Sequence, residues 1–306
     1  MKFKISRHLQ KIAKKNLSVK KQFIPSRAEN NIENKTFLDP IQEDKYTPLK
    51  GLIHKFENRV LILLTLNCAA YCRFCTRRWQ VLTKKNMLLP EDIENIFKYI
   101  KKHKKITEII ISGGDPLTNP KLLKIVLQKI SKLPQLKIIR LSTRLPISDP
   151  KKINHKIINI LKIIKNKPLY LMLHFEHPAE ITAETIRAIK KLQPVCTAMF
   201  SQSVFLKGIN DNVKTLKKLF TRLLEIGIKP YYIFRCDYVK GNEHFIVDIK
   251  KEIKIMTELR KKLTGLAYPL YIIDTPNGFG KIPVPLNFWQ FKHNSCRDFQ
   301  NKKIII

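Results

Sequence analysis

The chain has 306 residues, and its 59 Lys and Arg residues against 24 Asp and Glu residues give a formal charge of +35. This length can bury a sizeable core, either in one α/β barrel or in two smaller domains. A run of about 18 apolar residues, as a membrane-spanning helix requires, does not occur, and the basic N-terminus lacks the apolar stretch of a secretory signal. Six cysteines in a chain of this length do not indicate a disulfide framework.

The high positive charge has two interpretations. A strongly basic chain can bind nucleic acid or another polyanion. The lysines, however, are spread over every predicted helix rather than gathered in one tract, and they accompany heavy use of Ile and Asn, as A/T-rich codons would favour. We therefore favour compositional drift and consider a nucleic-acid partner the weaker hypothesis. An RNA-binding or RNA-modifying protein is the alternative from another functional class.

The predicted elements begin with a polar, basic N-terminal extension over residues 1–45, which contains one weak helix near residues 7–21. Short runs rich in Ile, Val, Leu and Tyr follow, and their continuous hydrophobicity is typical of buried parallel strands. These predicted strands are 60–66, 107–112, 137–142, 169–174, 195–200 and 230–236. Amphipathic stretches predict helices near 90–104, 119–133, 152–165, 181–192, 211–227 and 244–262, with Pro90 and Asn119-Pro120 as helix starts.

Six successive β/α units indicate an α/β protein with an open, partial (β/α)6 barrel rather than a closed eightfold barrel. We expect the barrel to occupy residues 46–285. The chain reads as irregular after Lys281, and residues 286–306 are predicted to form a short C-terminal tail.

Three cysteines follow the first predicted strand directly, in the run Cys68-Ala-Ala-Tyr-Cys72-Arg-Phe-Cys75. A structural zinc ion or a [4Fe–4S] cluster held wholly by protein takes four such ligands, and the next cysteine is the distant Cys196. Three thiolates would leave one iron of a cluster open to an exogenous ligand. A chance grouping of cysteines and a partial zinc site are the alternatives. Reduced, cluster-binding cysteines require a reducing compartment, which predicts a cytoplasmic protein.

Polar motifs follow the ends of the other predicted strands, where barrel enzymes carry their chemistry. The glycine pair in the first of them would let backbone groups come close to a ligand. The motifs are Ser112-Gly113-Gly114-Asp115, Ser142-Thr-Arg144, His174-Phe-Glu-His177, Gln202-Ser203 and Asp237.

The cysteine spacing at the end of a strand resembles the signature of the radical S-adenosylmethionine (SAM) superfamily. Further motifs narrow the resemblance to the lysine 2,3-aminomutase family, from about Asp39 to about Pro285. Members use a [4Fe–4S] cluster, S-adenosyl-L-methionine and pyridoxal 5′-phosphate (PLP) to move an amino group from C2 to C3. The motifs are Gly51-Leu-Ile-His-Lys55-Phe56-Glu-Asn-Arg59-Val60, Cys75-Thr-Arg77-Arg78, Tyr231-Tyr-Ile-Phe-Arg-Cys-Asp237 and Asp274-Thr-Pro-Asn-Gly278-Phe-Gly280-Lys281-Ile-Pro283.

The resemblance implies which residues would hold the cofactors. Lys281, at the end of a glycine-rich loop, would be the catalytic lysine that binds PLP covalently. Lys55 and Arg59 match phosphate-binding positions, with Phe56 beside the PLP ring. The metal ligands would be Cys68, Cys72 and Cys75. The positions that resemble the SAM pocket are Ser112, Gly113, Gly114, Asp115, Arg144, His174 and Gln202.

The resemblance also implies the substrate. Arg77 would bind the substrate carboxylate, and Asp237 and Asp274 would hold an ε-ammonium group through charge-assisted hydrogen bonds. A glutamate-specific relative would need that pair replaced by neutral or positive groups, so lysine is favoured. We expect L-lysine to be converted to β-lysine, with electrons from a reductant protein such as flavodoxin or ferredoxin. The same chemistry on another amino acid, or in the service of elongation factor P, is the alternative within this class.

Each of these residues also has a plainer interpretation. A single Lys281 or Arg77 would usually be solvated surface in so basic a chain. Asp237 could cap a helix, and His174 or His177 could be a satisfied core histidine. We expect the remaining cysteines to be buried or incidental; they are Cys196, Cys236 and Cys296.

The chain departs from the longer aminomutases at a zinc site. Those proteins carry a cysteine just after a Val-Asn-Asp turn and join it to a cysteine cluster in a C-terminal extension. Here Asp211 is followed by Asn212, and the tail holds only Cys296. A zinc-linked tetramer is therefore not expected, although a homodimer is compatible with the sequence. The chain is closer in length to the family branch that makes (R)-β-lysine for elongation factor P, but that branch often lacks the second Asp, which this chain keeps as Asp274.

Overall fold

A computed structural model describes residues 2–31, 36–83, 87–286, 289–290, 295–297 and 302–305. Its helices are α1 (Arg7–Lys15), α2 (Leu17–Phe23), α3 (Pro90–Lys102), α4 (Pro120–Ser131), α5 (Leu145–Ser148), α6 (His155–Leu161), α7 (Ala183–Leu192), α8 (Val213–Glu225) and α9 (Ile249–Lys262). Its strands are β1 (Leu52–Phe56), β2 (Arg59–Thr65), β3 (Glu108–Gly113), β4 (Ile138–Thr143), β5 (Leu169–His174), β6 (Ala198–Val204), β7 (Lys229–Phe234), β8 (Leu270–Thr275), β9 (Gly280–Pro283), β10 (Trp289–Gln290), β11 (Ser295–Arg297) and β12 (Lys303–Ile305).

One nine-stranded sheet contains β1 to β9 in chain order. Strands β2 to β8 pair in parallel, while β1 and β9 pair antiparallel at the two ends. The end strands do not pair with each other, so the sheet is open. Helices α3, α4, α6, α7, α8 and α9 connect the successive parallel strands. The predicted α/β architecture, an open barrel of six β/α units, is confirmed.

The sequence prediction missed three strands of this sheet. Strand β8 continues the parallel series, but only Tyr271 and Ile272 of its six residues are buried, so it lacks a continuous apolar signal. The end strands β1 and β9 carry polar residues such as His54 and Lys281 and read as loops. The prediction that the chain is irregular after Lys281 is wrong in part, because β9 pairs with β8 and β10 to β12 form a second small sheet.

The fifth predicted strand is shifted along the chain. Residues Gln193–Val195 form a 3-10 turn around a proline, and strand β6 therefore begins only at Ala198 and extends to Val204. Gln202 and Ser203, predicted to follow this strand, lie within it. The predicted helix starts at Pro90 and Pro120 are confirmed, since each proline opens its helix, where its missing N–H costs nothing.

The two faces of the curved sheet have different environments. In β2, Val60, Ile62 and Leu64 are buried against the surrounding helices. The alternate residues, Leu61 and Leu63, point to the other face and are only half-buried, as the two-residue period of a strand requires. The apolar core thus lies between sheet and helices, while the concave face leaves room for ligands.

The N-terminal segment forms two helices instead of one weak helix. Asn16 separates the two helices, because its backbone is extended and its side chain caps α2 by accepting from the Val19 N–H. Leu9, Val19 and Phe23 pack with Ala70 of the cysteine loop. In the described part of the chain, no helix is long and apolar enough to span a membrane.

Candidate active site at the carboxyl end of the sheet

The cysteine loop leaves the carboxyl end of β2. Cys68, Cys72 and Cys75 are free thiols, half-buried in the folded chain. Burial raises the pKa of all three thiols, to about 11 for Cys75, and neighbouring cysteines of the loop add to the effect at Cys68 and Cys75. Three soft sulfur donors on one short loop suit iron, and bound metal would reverse the effect of burial by displacing the thiol protons.

Arg144 follows β4, and its side chain contacts the cysteine loop. Its Nη1 donates to the Sγ of Cys72 at 2.9 Å, and its Nη2 donates to Gln22 at 2.6 Å and to Glu180 at 3.2 Å. Arg144 opposes the effect of burial on the Cys72 pKa. This cation therefore favours the thiolate form of Cys72 and ties helix α2 to the candidate site.

Gly113 and Gly114 bring the backbone of β3 against the cysteine loop. A Cβ atom on Gly113 would lie 2.3 Å from the carbonyl oxygen of Thr65, and one on Gly114 would lie 2.3 Å from that of Asn67. The Gly114 N–H donates to Thr65 at 2.6 Å. Close packing of the chain's own backbone thus requires glycine at both positions, and the expected approach of a ligand to this turn stays a prediction.

Asp115 is hydrogen-bonded to its own turn and to the end of β4. Its carboxylate accepts from the Thr143 hydroxyl at 2.8 and 2.9 Å, from the Arg144 N–H at 2.8 Å and from the Leu117 N–H at 3.1 Å. Burial raises its pKa to about 6 despite these bonds. Asp115 therefore fixes the turn after β3 against the end of β4, where Ser112 and Arg144 are presented. Its predicted contact with SAM stays a prediction.

His174 and Gln202 lie side by side on the concave face, as direct register partners of β5 and β6. The Nδ1 of His174 is 3.9 Å from the carboxylate of the buried Glu176. His177 ends the same sequence motif. Its Nδ1 accepts the Ala179 N–H at 3.2 Å and caps a 3-10 turn, which is a structural role.

Lys281 and Asp274 face each other across the β8–β9 hairpin. They are register partners of the two strands, and the Lys281 Nζ donates to the Asp274 carboxylate. The same Nζ lies 4.9 Å above the ring of Phe234 at the end of β7. Gly278 and Gly280 both have positive φ angles, of 76° and 108°, and allow the tight turn that aligns the pair.

Asp237 follows β7 and is close to this pair. Its carboxylate accepts a 2.5 Å hydrogen bond from the Thr76 hydroxyl in the cysteine loop. Burial raises the pKa of Asp237 to about 6, and the negative charge of Asp274 adds to this rise. The hydrogen bond from Thr76 and the positive charges of Lys281 and Arg77 oppose it. Thr76 was not singled out from the sequence, and its place directly after Cys75 was the only available signal.

Arg77 also lies in this neighbourhood but is already paired. Its Nε donates to the Glu43 Oε2 at 2.7 Å, and its Nη2 donates to the Glu43 Oε1. The two side chains are 18% and 12% exposed. The plain interpretation of Arg77 as solvated surface is therefore wrong. Glu43 was missed because the sequence analysis treated residues 1–45 only as a basic extension.

Lys55, Phe56 and Arg59 come from the β1–β2 hairpin. The Arg59 guanidinium stacks 4.3 Å from the centre of the Phe56 ring, and the Lys55 Nζ is 5.5 Å from it. Burial lowers the pKa of Lys55, an effect that Asp274 opposes and Lys281 strengthens. The hairpin thus brings two cations and an aromatic ring to the side of the site where Lys281 lies.

Comparison with known proteins agrees with this arrangement. The sequence model of the radical SAM superfamily matches residues 62–220 of this chain. An L-lysine 2,3-aminomutase of Methanococcus maripaludis is 37% identical over 269 residues, covering 88% of this chain and 62% of that protein. One of Buchnera aphidicola is 35% identical, covering 87% of this chain and 78% of that protein. The chain belongs to the lysine 2,3-aminomutase family of the radical SAM superfamily.

The structural likeness concerns the fold alone. A radical SAM methyltransferase from Sphaerobacter thermophilus superposes with a TM-score of 0.51 at 14% identity, covering 72% of this chain and 68% of that one. The chain spans less than two thirds of the length of several of the curated aminomutases that it matches, such as those of M. maripaludis and Clostridium subterminale.

The residues present fit the cofactors of this family, which are a [4Fe–4S] cluster, SAM and PLP. Among the described residues, no group of three His, Cys, Asp or Glu side chains is arranged to hold a single metal ion. A cluster places its thiolates further apart, because each binds a different iron atom. The donor set of three thiols suits such a cluster. For PLP, the chain offers one amine at Lys281 and two cations at Lys55 and Arg59.

Two expectations from the sequence concern the remaining cysteines and the zinc position. Cys236 is buried, while Cys196 and Cys296 are half-buried, and the expectation that they are buried or incidental stays a prediction. Asn212, at the position where longer relatives carry a zinc ligand, caps α8 by accepting from the Thr215 N–H at 2.9 Å. This residue thus has a structural role that accounts for its side chain.

Proposed function

We propose that the chain converts L-lysine to β-lysine by moving the amino group from C2 to C3. When bound, the cluster and SAM supply the radical that removes a hydrogen atom from C3, and PLP holds the migrating amino group. The observation that carries this proposal is the meeting of Lys281, Asp274, Asp237 and Arg77 beside the cysteine loop.

Lysine is the favoured substrate because the site already holds an ammonium group of the same kind. Asp274 accepts from the primary ammonium of Lys281 in the structure, which shows that this carboxylate can pair with an alkylammonium. Asp237 lies close enough for Lys281 to affect its pKa. In the substrate complex, Asp237 and Asp274 together would compensate the charge of the ε-ammonium.

The roles of the remaining residues are assigned from their charge and their position in the site. Cys68, Cys72 and Cys75 would bind the cluster, with Arg144 favouring the thiolate of Cys72. Lys55 and Arg59 would bind the dianionic phosphate of PLP. We assign SAM to the concave face beside His174, Gln202 and Ser112, with Gly113, Gly114 and Asp115 shaping the turn next to it. Arg77 would hold the substrate carboxylate, since a guanidinium matches a carboxylate in geometry and charge.

Asp274→Asn is expected to lower kcat/KM for lysine by about 30-fold or more, because a charge-assisted hydrogen bond to a desolvated ammonium contributes roughly 2–4 kcal/mol. PLP loading should stay intact. Asp44→Asn, which changes an exposed carboxylate in the same way, is the matched control and should leave the rate unchanged. Equal rates for Asp274→Asn and wild type would remove Asp274 from the lysine site.

The raised pKa of Asp237 predicts a pH dependence of lysine binding. A carboxyl whose pKa is about 6 in the folded chain is protonated below that pH and cannot neutralise the ε-ammonium. The affinity for lysine should therefore rise as the pH increases through about 6 and level off above it. Titrating PLP-loaded protein with lysine, without SAM, from pH 5 to 8 measures this, and Asp237→Asn should flatten the profile. A wild-type affinity as independent of pH as that of the variant would contradict the assignment.

Activity on two substrates tests the function itself. Wild-type protein with iron and PLP contents verified should form β-lysine from L-lysine and no β-glutamate from L-glutamate, because two carboxylates repel a third. If the chain forms no β-lysine but binds RNA tightly with a steep salt dependence, the RNA-directed alternative holds instead. β-Amino acid products from another amino acid would keep the chemistry and change the substrate.

The cellular setting belongs to the same proposal. We expect a cytoplasmic protein that receives electrons from flavodoxin or ferredoxin, with a homodimer compatible with the fold. The β-lysine could be a free metabolite or serve elongation factor P, and mass measurement of that factor after deletion of the chain would distinguish the two.

A further inference from the structure

One segment of the N-terminal region crosses the candidate site and contacts several of its parts. We call residues 37–46 the strap. At its start, the Phe37 N–H donates to the Tyr238 carbonyl and the Lys240 N–H donates to the Phe37 carbonyl, both at 2.9 Å. These bonds anchor the strap to the loop that carries Asp237. Beyond its other end, the chain runs into β1, which carries Lys55.

The middle of the strap lies against the hairpin turn before Lys281. A Cβ atom on Gly278 would stand 2.7 Å from the Ile41 carbonyl oxygen and 3.0 Å from the Tyr46 ring. The same Tyr46 ring lies 5.5 Å from the Lys55 Nζ. The strap therefore touches the elements that carry Asp237, Lys281 and Lys55, and its position is fixed relative to all of them.

Glu43 is the strap residue that reaches Arg77. A guanidinium has two edges that can each bind a carboxylate in a bidentate manner. Glu43 occupies the edge formed by Nε and Nη2, and among the described residues no hydrogen-bond acceptor lies at Nη1. Glu43 is itself held, because its backbone N–H donates to the Asp39 carboxylate at 2.9 Å.

We propose that Glu43 is a positioning residue for Arg77: it fixes one edge of the guanidinium so that the other edge faces the α-carboxylate of the substrate. The inference rests on the proposed function, in which Arg77 binds that carboxylate. It adds that recognition of the carboxylate depends on a residue outside the barrel.

The electrostatics of the site explain why such a residue is needed. Glu43 and Asp274 are both close enough to Arg77 to stabilise its charge, with Glu43 contributing more. Without Glu43, the carboxylates that remain close enough to attract this guanidinium are Asp274 and Asp237. Arg77 would then lose the orientation in which its free edge faces the α-carboxylate of the substrate.

The test compares Glu43→Gln with wild type in binding, without turnover. Titrating PLP-loaded protein in the absence of SAM, followed by visible absorption, gives affinities for L-lysine and for cadaverine, which lacks the carboxylate. We expect Glu43→Gln to weaken lysine binding about tenfold and cadaverine binding by less than about twofold. Asp44 is exposed and follows Glu43 on the 3-10 turn Glu43–Tyr46. Asp44→Asn should therefore change neither the affinity for lysine nor that for cadaverine. Equal loss for both ligands, or no loss, would overturn the inference.

A double-mutant cycle supplies the second test. In an Arg77→Lys background, which keeps the charge but removes the bidentate fork, Glu43→Gln should have little further effect on lysine binding. Fully additive losses would overturn the inference, because they would show that Glu43 does not act through Arg77. Its failure is distinguishable from failure of the proposed function, in which wild-type protein would form no β-lysine at all.

Discussion

Replacing any one of Cys68, Cys72 and Cys75 by alanine is expected to abolish iron–sulfur binding and SAM cleavage. Each thiolate would be an obligate ligand of one iron atom, and the chain offers no substitute donor in the loop itself. The fold should largely survive, since the main apolar core lies between the sheet and its helices and takes only Ala69 from the loop. Iron content and cluster absorption after anaerobic reconstitution measure the effect.

Cys196→Ala is the matched control for the cluster variants. Cys196 is half-buried beside a turn before β6 and lies far along the chain from the cysteine loop. This variant should keep normal iron content and SAM cleavage. Normal iron content in any single variant of the three loop cysteines would contradict the assignment of all three as ligands.

Lys281→Ala is expected to eliminate covalent binding of PLP and all amino transfer. Reductive trapping with borohydride should label wild-type protein at Lys281 and leave the variant unlabelled. Slow SAM cleavage should persist when the cluster is reduced, because the cysteine loop and the β8–β9 hairpin are separate elements. Lys250→Ala, at an exposed position of α9, is the control and should retain the label. A label on another lysine of the wild-type protein would show that Lys281 was wrongly assigned.

Much of the barrel could be predicted because its strands are short, apolar and regularly alternated with amphipathic helices. The missed strands lie at or next to the ends of the sheet. Strand β8 carries Asp274 on a half-buried end, and β9 carries Lys281. Hydrophobic pattern alone does not reveal strands whose residues are largely half-buried or exposed.

The family motifs predict individual site residues, but they do not predict the local partners of those residues. The cysteine motif does not reveal that Arg144 donates to Cys72, or that Thr76 holds Asp237, because both contacts join positions distant in sequence. The sequence also does not reveal that the two glycines pack against the carbonyl oxygens of Thr65 and Asn67. Glu43 escaped notice because its partner, Arg77, is 34 residues away.

The most direct test of the proposed function uses L-lysine labelled with ¹⁵N at the α-amino group. Anaerobically reconstituted protein, with iron and PLP verified, receives this substrate together with SAM and a reductant, and the product is analysed by mass spectrometry and NMR. The account predicts β-lysine with ¹⁵N attached to C3, formed by wild type and not by Lys281→Ala. Absence of β-lysine from the fully loaded wild-type protein, or β-lysine formed equally by the variant, would contradict it.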